Sequence, residues 1–394
     1  MIRKIIFWSH LVAGIAAGIV IFIMSLTGVL IAYEYQMVEN ANMSLYSSEA
    51  AGQEPLSLDQ IMSAASLELG RDISGVVVWN DPSAPVQATY DRRGGAFMDP
   101  YTGEYLGTGA EAIQNFLALI RGWHRELGFG GESQRTGRAI TGASNALFIF
   151  ILISGVYLWL PKIWNGASLR MRLWFQKSPA NSKVRDYNWH HVFGFWALIP
   201  LTAIAVTATA ISYPSVKGMI NQLAGGPGNP PRPEQGQEQG PPPGAPPPVA
   251  AAFVAPTDGP TLMSLDALVE IAKEADDGWY KITAAAPRDA NSPAEMRISY
   301  DFPMAPTQEK TLSLDPMTGE IVSEFGWEQM TKAQQVDQVF RRLHTGEFYG
   351  IAGQTIAGIV SIFACFMVWT GWPLAWRRLV SPLIAKRKSA SASA

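Results

Sequence analysis

The chain has 394 residues, of which 48% are hydrophobic and only 16% are charged, and its net charge is −3. This charged fraction lies well below the roughly 25% usual in soluble domains, so the composition indicates a membrane protein with water-exposed parts. The single cysteine, Cys365, excludes an intrachain disulfide, a cysteine-based zinc or iron–sulfur site, and covalent attachment of c-type haem, which needs a C-x-x-C-H motif.

The charges are sorted along the chain. Thirteen of the 30 lysines and arginines lie in the short segments 1–4, 161–187 and 377–388, which contain one acid, Asp186. The other 32 of the 33 acids lie in the two long regions between these segments. Because no long basic face remains elsewhere, nucleic acid is not expected as a partner.

Four apolar runs are long enough to cross a bilayer core of about 30 Å, which takes roughly 20 helical residues. The first follows Arg3 and Lys4 and is too long for the apolar part of a cleaved signal, so we interpret it as an uncleaved anchor. The basic segments share one side if the chain crosses four times with both termini in the cytoplasm. The runs are Ile5–Tyr33, Ala139–Leu160, Val192–Tyr213 and Ile351–Trp376.

The two long regions between the basic segments repeat one plan. The stretches 57–70 and 264–275 both open with Ser-Leu-Asp and have helical periodicity, with the serine as a plausible N-cap. Strand-like runs follow in each region. An Asp-Pro-x-Thr-Gly-Glu sequence then comes at 99–104 and again at 315–320, where Asp-Pro starts a turn and Gly supplies a positive φ. The predicted strands are Ile73–Trp79, Val86–Tyr90, Tyr280–Ala285, Met296–Tyr300 and Lys310–Leu314.

The predicted fold is therefore an α-helical membrane protein with four transmembrane helices, two extracytoplasmic α+β modules and an internal duplication. Twelve prolines between Gly225 and Pro260 predict an extended linker without a core. The predicted domains are helix one (1–33), module one (34–127), helix two (128–161), a cytoplasmic loop (162–187), helix three (188–213), the Pro-rich linker (214–260), module two (261–343), helix four (344–378) and a cytoplasmic tail (379–394).

Motifs within the spans repeat as well. His10 and His190 each precede a glycine by four residues and a threonine by 17. With the paired turns, these motifs make the chain resemble the PepSY-associated transmembrane helix family of bacterial inner-membrane proteins. The resemblance covers nearly the whole chain apart from the proline-rich insert. The span residues that carry it are His10, Gly14, Thr27-Gly28, Ser154-Gly155, Leu158-Trp159-Leu160-Pro161, His190 and Gly194.

Some members of that family are siderophore reductases that carry b-type haem. The resemblance implies a multi-pass inner-membrane oxidoreductase that passes electrons outward and reduces a ferric siderophore from Fe(III) to Fe(II) on the periplasmic side. The implied partners are the ferric siderophore, membrane lipid and a cytoplasmic or membrane electron donor. Other members have no known activity.

The five histidines carry the most specific signal for a cofactor. Imidazole is a frequent axial ligand of haem iron, and two facing imidazoles give a six-coordinate electron-transfer centre. We therefore predict two noncovalent haem b groups with bis-histidine ligation, one held by His10 with His190 near the cytoplasm and one by His124 with His344 near the outside. His191 lies about 100° further around its helix and is the alternate ligand to His190. A lone histidine at a span end is more often an interfacial residue; the two-by-two arrangement favours ligation.

Arginines flank the two outer histidines. Arg125 and Arg342 are the candidates to bind a haem propionate, because a guanidinium makes bidentate, charge-assisted hydrogen bonds to carboxylates. An interfacial arginine that meets a lipid phosphate explains these positions equally well.

Two other function classes stay open. One is a non-catalytic PepSY membrane protein that binds or regulates a partner such as a protease. The other is a permease, which is disfavoured because the spans lack a buried charge pathway or a broken helix. No catalytic residue is predicted beyond the haem ligands. The cytoplasmic loop is too short for a flavin or nicotinamide domain, so a separate donor is expected.

Overall fold

The computed structural model describes residues 1–46, 54–90, 95–226, 262–287, 289–300 and 309–384. These residues form two compact units. The helical unit contains residues 1–34, 116–220 and 340 onward, and the sheet unit contains residues 35–115 and 221–339. The chain therefore leaves the helical unit and returns to it twice.

Four helices of the helical unit are long and apolar enough to cross a membrane, which confirms the four predicted spans. They are α1, α5, α7 and α11. The α-helices within the described residues are α1 (Ile2–Ile31), α2 (Glu34–Asn42), α3 (Leu58–Leu69), α4 (Glu111–Glu126), α5 (Gln134–Trp159), α6 (Gly166–Leu173), α7 (Ser182–Ser212), α8 (Pro214–Leu223), α9 (Leu265–Glu274), α10 (Lys332–Thr345) and α11 (Gly350–Leu379).

The four long helices pack as a ring in which α1 and α7 each contact α5 and α11. Buried alanines, including Ala17, Ala197 and Ala364, let the helices approach closely. Polar side chains add hydrogen bonds between helices. Asn145 of α5 donates to the Ala205 carbonyl of α7 at 3.0 Å, and Gln354 of α11 donates to the Ala32 carbonyl after α1 at 2.9 Å. In this ring α1 and α7 lie opposite each other.

The described residues of the sheet unit form an antiparallel sheet of eight strands in the order β4-β3-β2-β1-β5-β6-β7-β8. The central pair joins the two regions that repeat in sequence, with Gly75 of β1 opposite Ala285 of β5 and Trp79 opposite Lys281. Helices α3 and α9 pack on the sheet over a shared apolar core. The strands are β1 (Gly75–Trp79), β2 (Val86–Thr89), β3 (Gly95–Met98), β4 (Tyr105–Gly107), β5 (Lys281–Ala285), β6 (Ala294–Ser299), β7 (Glu309–Leu314) and β8 (Ile321–Phe325).

The local signals of the two repeated regions form as the sequence predicts. The Ser57 hydroxyl accepts from the Gln60 amide in a capping box at the start of α3, and Ser264 caps α9 through the Ala267 amide. In both Asp-Pro turns the aspartate side chain accepts two backbone N–H groups, and the glycine has a φ of 71° or 72°. These N–H groups hold the pKa of the Asp315 carboxyl below its ordinary value.

The structure also departs from the sequence-based expectations. The strands of the two regions form one sheet, in which β1 and β5 cover each other's edges. The segment that we expect to be a linker, 214–260, begins with helix α8; its remainder beyond residue 226 lies outside the described residues, as do the last ten residues of the expected tail. Helices α4 and α10 are amphipathic and place two of the histidines, and neither helix was predicted from the sequence.

Two glycines allow the ends of α4 and α10 to pack against long helices. A Cβ at Gly137 of α5 would overlap the Glu126 carbonyl oxygen, and one at Gly353 of α11 would overlap the Gly346 carbonyl oxygen. Gly137→Ala and Gly353→Ala should each lower the free energy of unfolding by about 1–3 kcal/mol, because neither backbone can yield. Thermal unfolding of the purified protein in detergent measures the effect.

The matched control is Gly14→Ala in α1, where a Cβ meets no atom within 4 Å. Alanine in a helix interior is favoured over glycine by about 0.5–1 kcal/mol, so this variant should be no less stable than the wild type. Equal unfolding midpoints for the three variants would contradict the packing argument.

Candidate functional site

All five histidines belong to the helical unit and lie at two levels of the bundle. We call the end where α1 begins and α11 ends the terminal end, and the opposite end the loop end. His10 of α1 and His190 of α7 lie toward the terminal end. His124 and His344 lie at the loop end, in the last turns of α4 and α10. The two predicted pairs are therefore brought to two separate levels.

At the loop end, the His124 and His344 rings face each other with their centroids 6.3 Å apart and their planes at 60°. Each ring is held by a neighbouring long helix. Nδ1 of His124 lies 3.0 Å from the Thr27 hydroxyl oxygen of α1, and Nδ1 of His344 lies 3.1 Å from the Ile204 carbonyl oxygen of α7.

At the terminal end, His10 of α1 and His190 of α7 are each held by a neighbouring long helix. Nδ1 of His10 is 2.9 Å from the Ser154 hydroxyl oxygen of α5. Nδ1 of His190 is 3.1 Å from the Met367 carbonyl oxygen and 3.2 Å from the Thr370 hydroxyl oxygen, both on α11. As at the loop end, each imidazole uses Nδ1 to contact a different helix from its own.

Glycines lie beside three of these rings. Cε1 of His124 comes within 3.5 Å of a Cβ position at Gly28, that of His10 within 3.5 Å at Gly155, and that of His190 within 3.4 Å at Gly371. Each glycine directly follows the serine or threonine that contacts the same histidine. In each Ser/Thr-Gly pair the hydroxyl contacts Nδ1 of the imidazole and the glycine leaves space for the ring. This role was not predicted from the sequence.

Nδ1 is the engaged nitrogen in all four histidines, which leaves Nε2 for a ligand. A carbonyl oxygen only accepts, so His190 and His344 must carry their proton on Nδ1, and Nε2 then presents a lone pair. Metal-bound histidines usually donate the other ring N–H in this way. His190 and His344 therefore have the hydrogen-bond pattern of metal ligands.

The loop-end separation leaves room for one metal ion between the two rings. Zinc–imidazole bonds are about 2.0–2.1 Å long, so two imidazoles that held one metal ion from opposite sides would have their ring centroids roughly 6 Å apart. The observed separation is 6.3 Å. Over the described ranges, there is no group of three or more His, Cys, Asp or Glu side chains suited to a metal ion; a bis-histidine haem needs only two.

His191 differs from its neighbour in what holds it. Its Nδ1 contacts the Tyr187 carbonyl of its own helix at 2.8 Å, and its ring centroid lies 4.0 Å from that of Tyr187 and 6.4 Å from that of His190. It lacks a hydrogen bond to another helix among the contacts of the described residues. It stays the alternate ligand, and the cross-helix contact favours His190.

Helix α4 delivers His124 to the bundle because its end is fastened to α5. The Thr141 hydroxyl donates to the Arg125 carbonyl at 2.8 Å, and buried Glu126 pairs with Arg138 at 2.9 Å.

The signal for α4 and α10 was present in the sequence as apolar residues at helical spacing. They are Ile113, Phe116, Leu117 and Ile120 in α4, and Val336, Phe340 and Leu343 in α10.

The two candidate arginines have different surroundings. Arg125 is 62% exposed, and its carboxylate neighbour Glu126 is 3.9 Å away. Arg342 is 12% exposed and lies 3.5 Å from Glu347. Arg121, which also flanks His124, forms an ion pair with Glu34. Arg125 is therefore the more accessible of the two predicted anion ligands.

A buried ion pair that was not predicted from the sequence holds the start of α7 to α11, near His190. Asp186 is 1% exposed, and its carboxylate lies 2.6 Å from Arg377 of α11 and 2.8 Å from Arg185. Asp186 precedes His190 by four residues, so both lie on one side of α7. The pair therefore fixes the rotation of the helix that carries His190.

Comparison with known proteins agrees with this architecture. A search of curated proteins found no match. The family described as the PepSY-associated TM region matches residues 7–378, a range that includes all four histidines of the two pairs and most of each long helix. The chain therefore belongs to the PepSY-associated transmembrane family.

Proposed function

We propose that this membrane protein is a haem b oxidoreductase that carries electrons across the bacterial inner membrane and reduces ferric siderophores on the periplasmic side. The observation that carries the proposal is the two histidine pairs at opposite ends of one helical ring, each histidine with Nδ1 bound to another helix. Such a pattern leaves four Nε2 atoms available, two at each level.

The protein's own residues define where two haem b groups would bind. His10 with His190 and His124 with His344 would supply the axial nitrogens, and the apolar helices around them would exclude water. Bound haem supplies one-electron redox chemistry. Exposed Arg125 is suited to bind a propionate at the loop end; the same guanidinium is equally suited to a lipid phosphate.

The direction follows from the distribution of charge. Arg3 and Lys4 at the start of α1 and Arg377 and Arg378 at the end of α11 lie at the terminal end. Positive residues favour the cytoplasmic side, so we place both termini there. The terminal-end pair would then take electrons from a cytoplasmic or membrane donor.

The distance along the bundle explains the need for two centres. The 17 residues from His10 to Thr27 span about 26 Å of helix, and Thr27 contacts His124 at the loop end. A group bound by His10 alone would lie most of a membrane thickness away from an external chelate. The loop-end pair would therefore be the one that serves the siderophore, with exposed Trp123, Arg125 and Tyr349 as candidate contacts.

Reduction itself would drive release of the metal. Hard oxygen chelators bind Fe(III) more tightly than Fe(II), so transfer of one electron to the chelated iron weakens its binding and frees it from the siderophore. The competing hypothesis is a non-catalytic PepSY protein that binds or regulates a partner such as a protease. That hypothesis requires no haem.

The purified protein should contain two haem b per chain in a pyridine-haemochrome assay. His124→Ala and His344→Ala should each lose the loop-end haem and keep the other, because a six-coordinate centre needs both axial ligands. His10→Ala and His190→Ala should each lose the terminal-end haem.

The matched control is His191→Ala, next to His190, which should retain both haems. Loss of one haem in His191→Ala but not in His190→Ala would make His191 the ligand. A wild-type protein with one haem or none would contradict the two-centre proposal, and a protein without haem would favour the partner-binding hypothesis.

Electron exit is tested in proteoliposomes that contain chemically reduced protein. Adding a ferric hydroxamate outside should reoxidise the wild type, with one Fe(II) formed per electron lost. His344→Ala should stay reduced while retaining its terminal-end haem, because that haem lies too far from the outer surface. Absorbance of the α-band reports oxidation, and a ferrous chelator reports the product. Equal rates in the two proteins would mean that electrons leave by another route.

A further inference from the structure

Three hydroxyl groups share one arrangement around the histidines. Thr27 donates to the Ile23 carbonyl at 2.6 Å, Ser154 to the Phe150 carbonyl at 2.7 Å, and Thr370 to the Phe366 carbonyl at 2.7 Å. Each carbonyl belongs to the preceding turn of the same helix. The same three oxygens lie within 3.2 Å of a histidine Nδ1 on another helix.

This arrangement decides which histidine nitrogen carries the proton. A hydroxyl has one proton, and here its own helix takes it, so the oxygen can only accept from the imidazole. His10 and His124 must then be protonated on Nδ1, with an unprotonated Nε2. The hydroxyl is the hydrogen-bond partner of Nδ1 in these two histidines, and a backbone carbonyl also interacts with each ring, that of Ile151 with His10 and that of Met24 with His124. For His190 the Met367 carbonyl lies at hydrogen-bond distance, 3.1 Å.

We infer that Thr27 and Ser154 are positioning residues that fix the tautomer and the orientation of His124 and His10, and thereby tune one haem centre each from a neighbouring helix. The inference rests on the proposed function, because it concerns the strength of these histidines as haem ligands. An accepted N–H hydrogen bond raises the basicity of a metal-bound imidazole, and loss of such a partner typically costs 10–100-fold in metal affinity.

The chain offers a close control in Thr207. It follows His190 by 17 residues, as Thr27 follows His10, and it donates to the Ala203 and Ile204 carbonyls of its own helix at 2.8 and 3.0 Å. Its hydroxyl lacks a contact with a histidine among the described residues, since His344 bonds to the Ile204 carbonyl instead. Thr207→Val therefore removes a threonine hydroxyl that is bound to its own helix, as Thr27→Val does, but this hydroxyl is not the hydrogen-bond partner of a histidine.

The test compares Thr27→Val, Ser154→Ala, Thr370→Val and Thr207→Val in the full-length, haem-loaded protein, with redox titration and haem content as readouts. Thr27→Val should weaken haem retention 10–100-fold and raise the midpoint potential at the loop-end centre alone. Ser154→Ala should do the same at the terminal-end centre alone. A tenfold loss confined to the ferric form corresponds to about 59 mV.

The other variants set the limits of the effect. Thr370→Val should shift the terminal-end centre less than Ser154→Ala, because the Met367 carbonyl still accepts from His190. Thr207→Val should leave the terminal-end potential unchanged and should not raise the loop-end potential, because it removes only a second donor to the Ile204 carbonyl that His344 uses. Thr27→Ser and Ser154→Thr keep the hydroxyl and should restore wild-type values; Thr27→Ala repeats the test should the valine variant fold poorly.

The outcomes separate this inference from the proposed function. Two haems with unshifted potentials in Thr27→Val and Ser154→Ala would overturn the inference alone. A shift of the same size in Thr207→Val would also overturn it, because the effect would then come from helix packing. A wild-type protein that binds no haem would overturn the proposed function, and the inference with it.

Discussion

The structure depends on one constraint, which is that an imidazole inside an apolar bundle must satisfy its polar atoms. A buried polar group without a hydrogen bond costs several kcal/mol in a hydrocarbon environment. Here the Nδ1 atoms of four histidines meet this need on a neighbouring helix, so each side chain also links two elements. The orientation of each ring and the packing of the helices are thereby coupled. A change in the helix packing should alter the ring orientation, and a change in the histidine should alter the helix packing.

The helical ring and the sheet solve the same problem of unpaired polar groups in different ways. In the sheet unit, β1 and β5 would each expose an edge if the two regions folded apart, and their pairing removes both edges. Gly75 permits the close approach, since a Cβ there would overlap the Ala284 carbonyl oxygen. The two regions thus form one continuous sheet, because each supplies the strand that pairs with the open edge of the other.

The sequence predicts those features that depend on local signals. Composition and run length predict the four spans, and the Ser57 cap and the Asp-Pro turns appear where their residues indicate. The pairing of β1 with β5 is a contact between distant segments, so local patterns cannot reveal it. Helix α10 was missed because its apolar residues are sparse among charged and amide side chains, although their spacing is helical. The two levels of the histidines could be predicted from their positions relative to the four spans. Their Ser/Thr-Gly partners lie on other helices, so they became visible only from the packing of the ring.

The two ends of the bundle differ in the hydrogen bonds of their histidines, and this difference bears on the direction of electron transfer in the proposed function. At the loop end, Nδ1 of His124 bonds to a hydroxyl and that of His344 to a carbonyl. At the terminal end, Nδ1 of His10 bonds to a hydroxyl, and that of His190 has both a carbonyl and a hydroxyl as acceptors. Acceptors on Nδ1 strengthen an imidazole as a ligand of the oxidised metal and so lower the potential of the centre. If the two pairs bind haem as proposed, three Nδ1 hydrogen bonds at the terminal end against two at the loop end favour a lower potential on the side where electrons would enter. Electron flow toward the loop end would then be downhill, which is the direction that the proposed function requires.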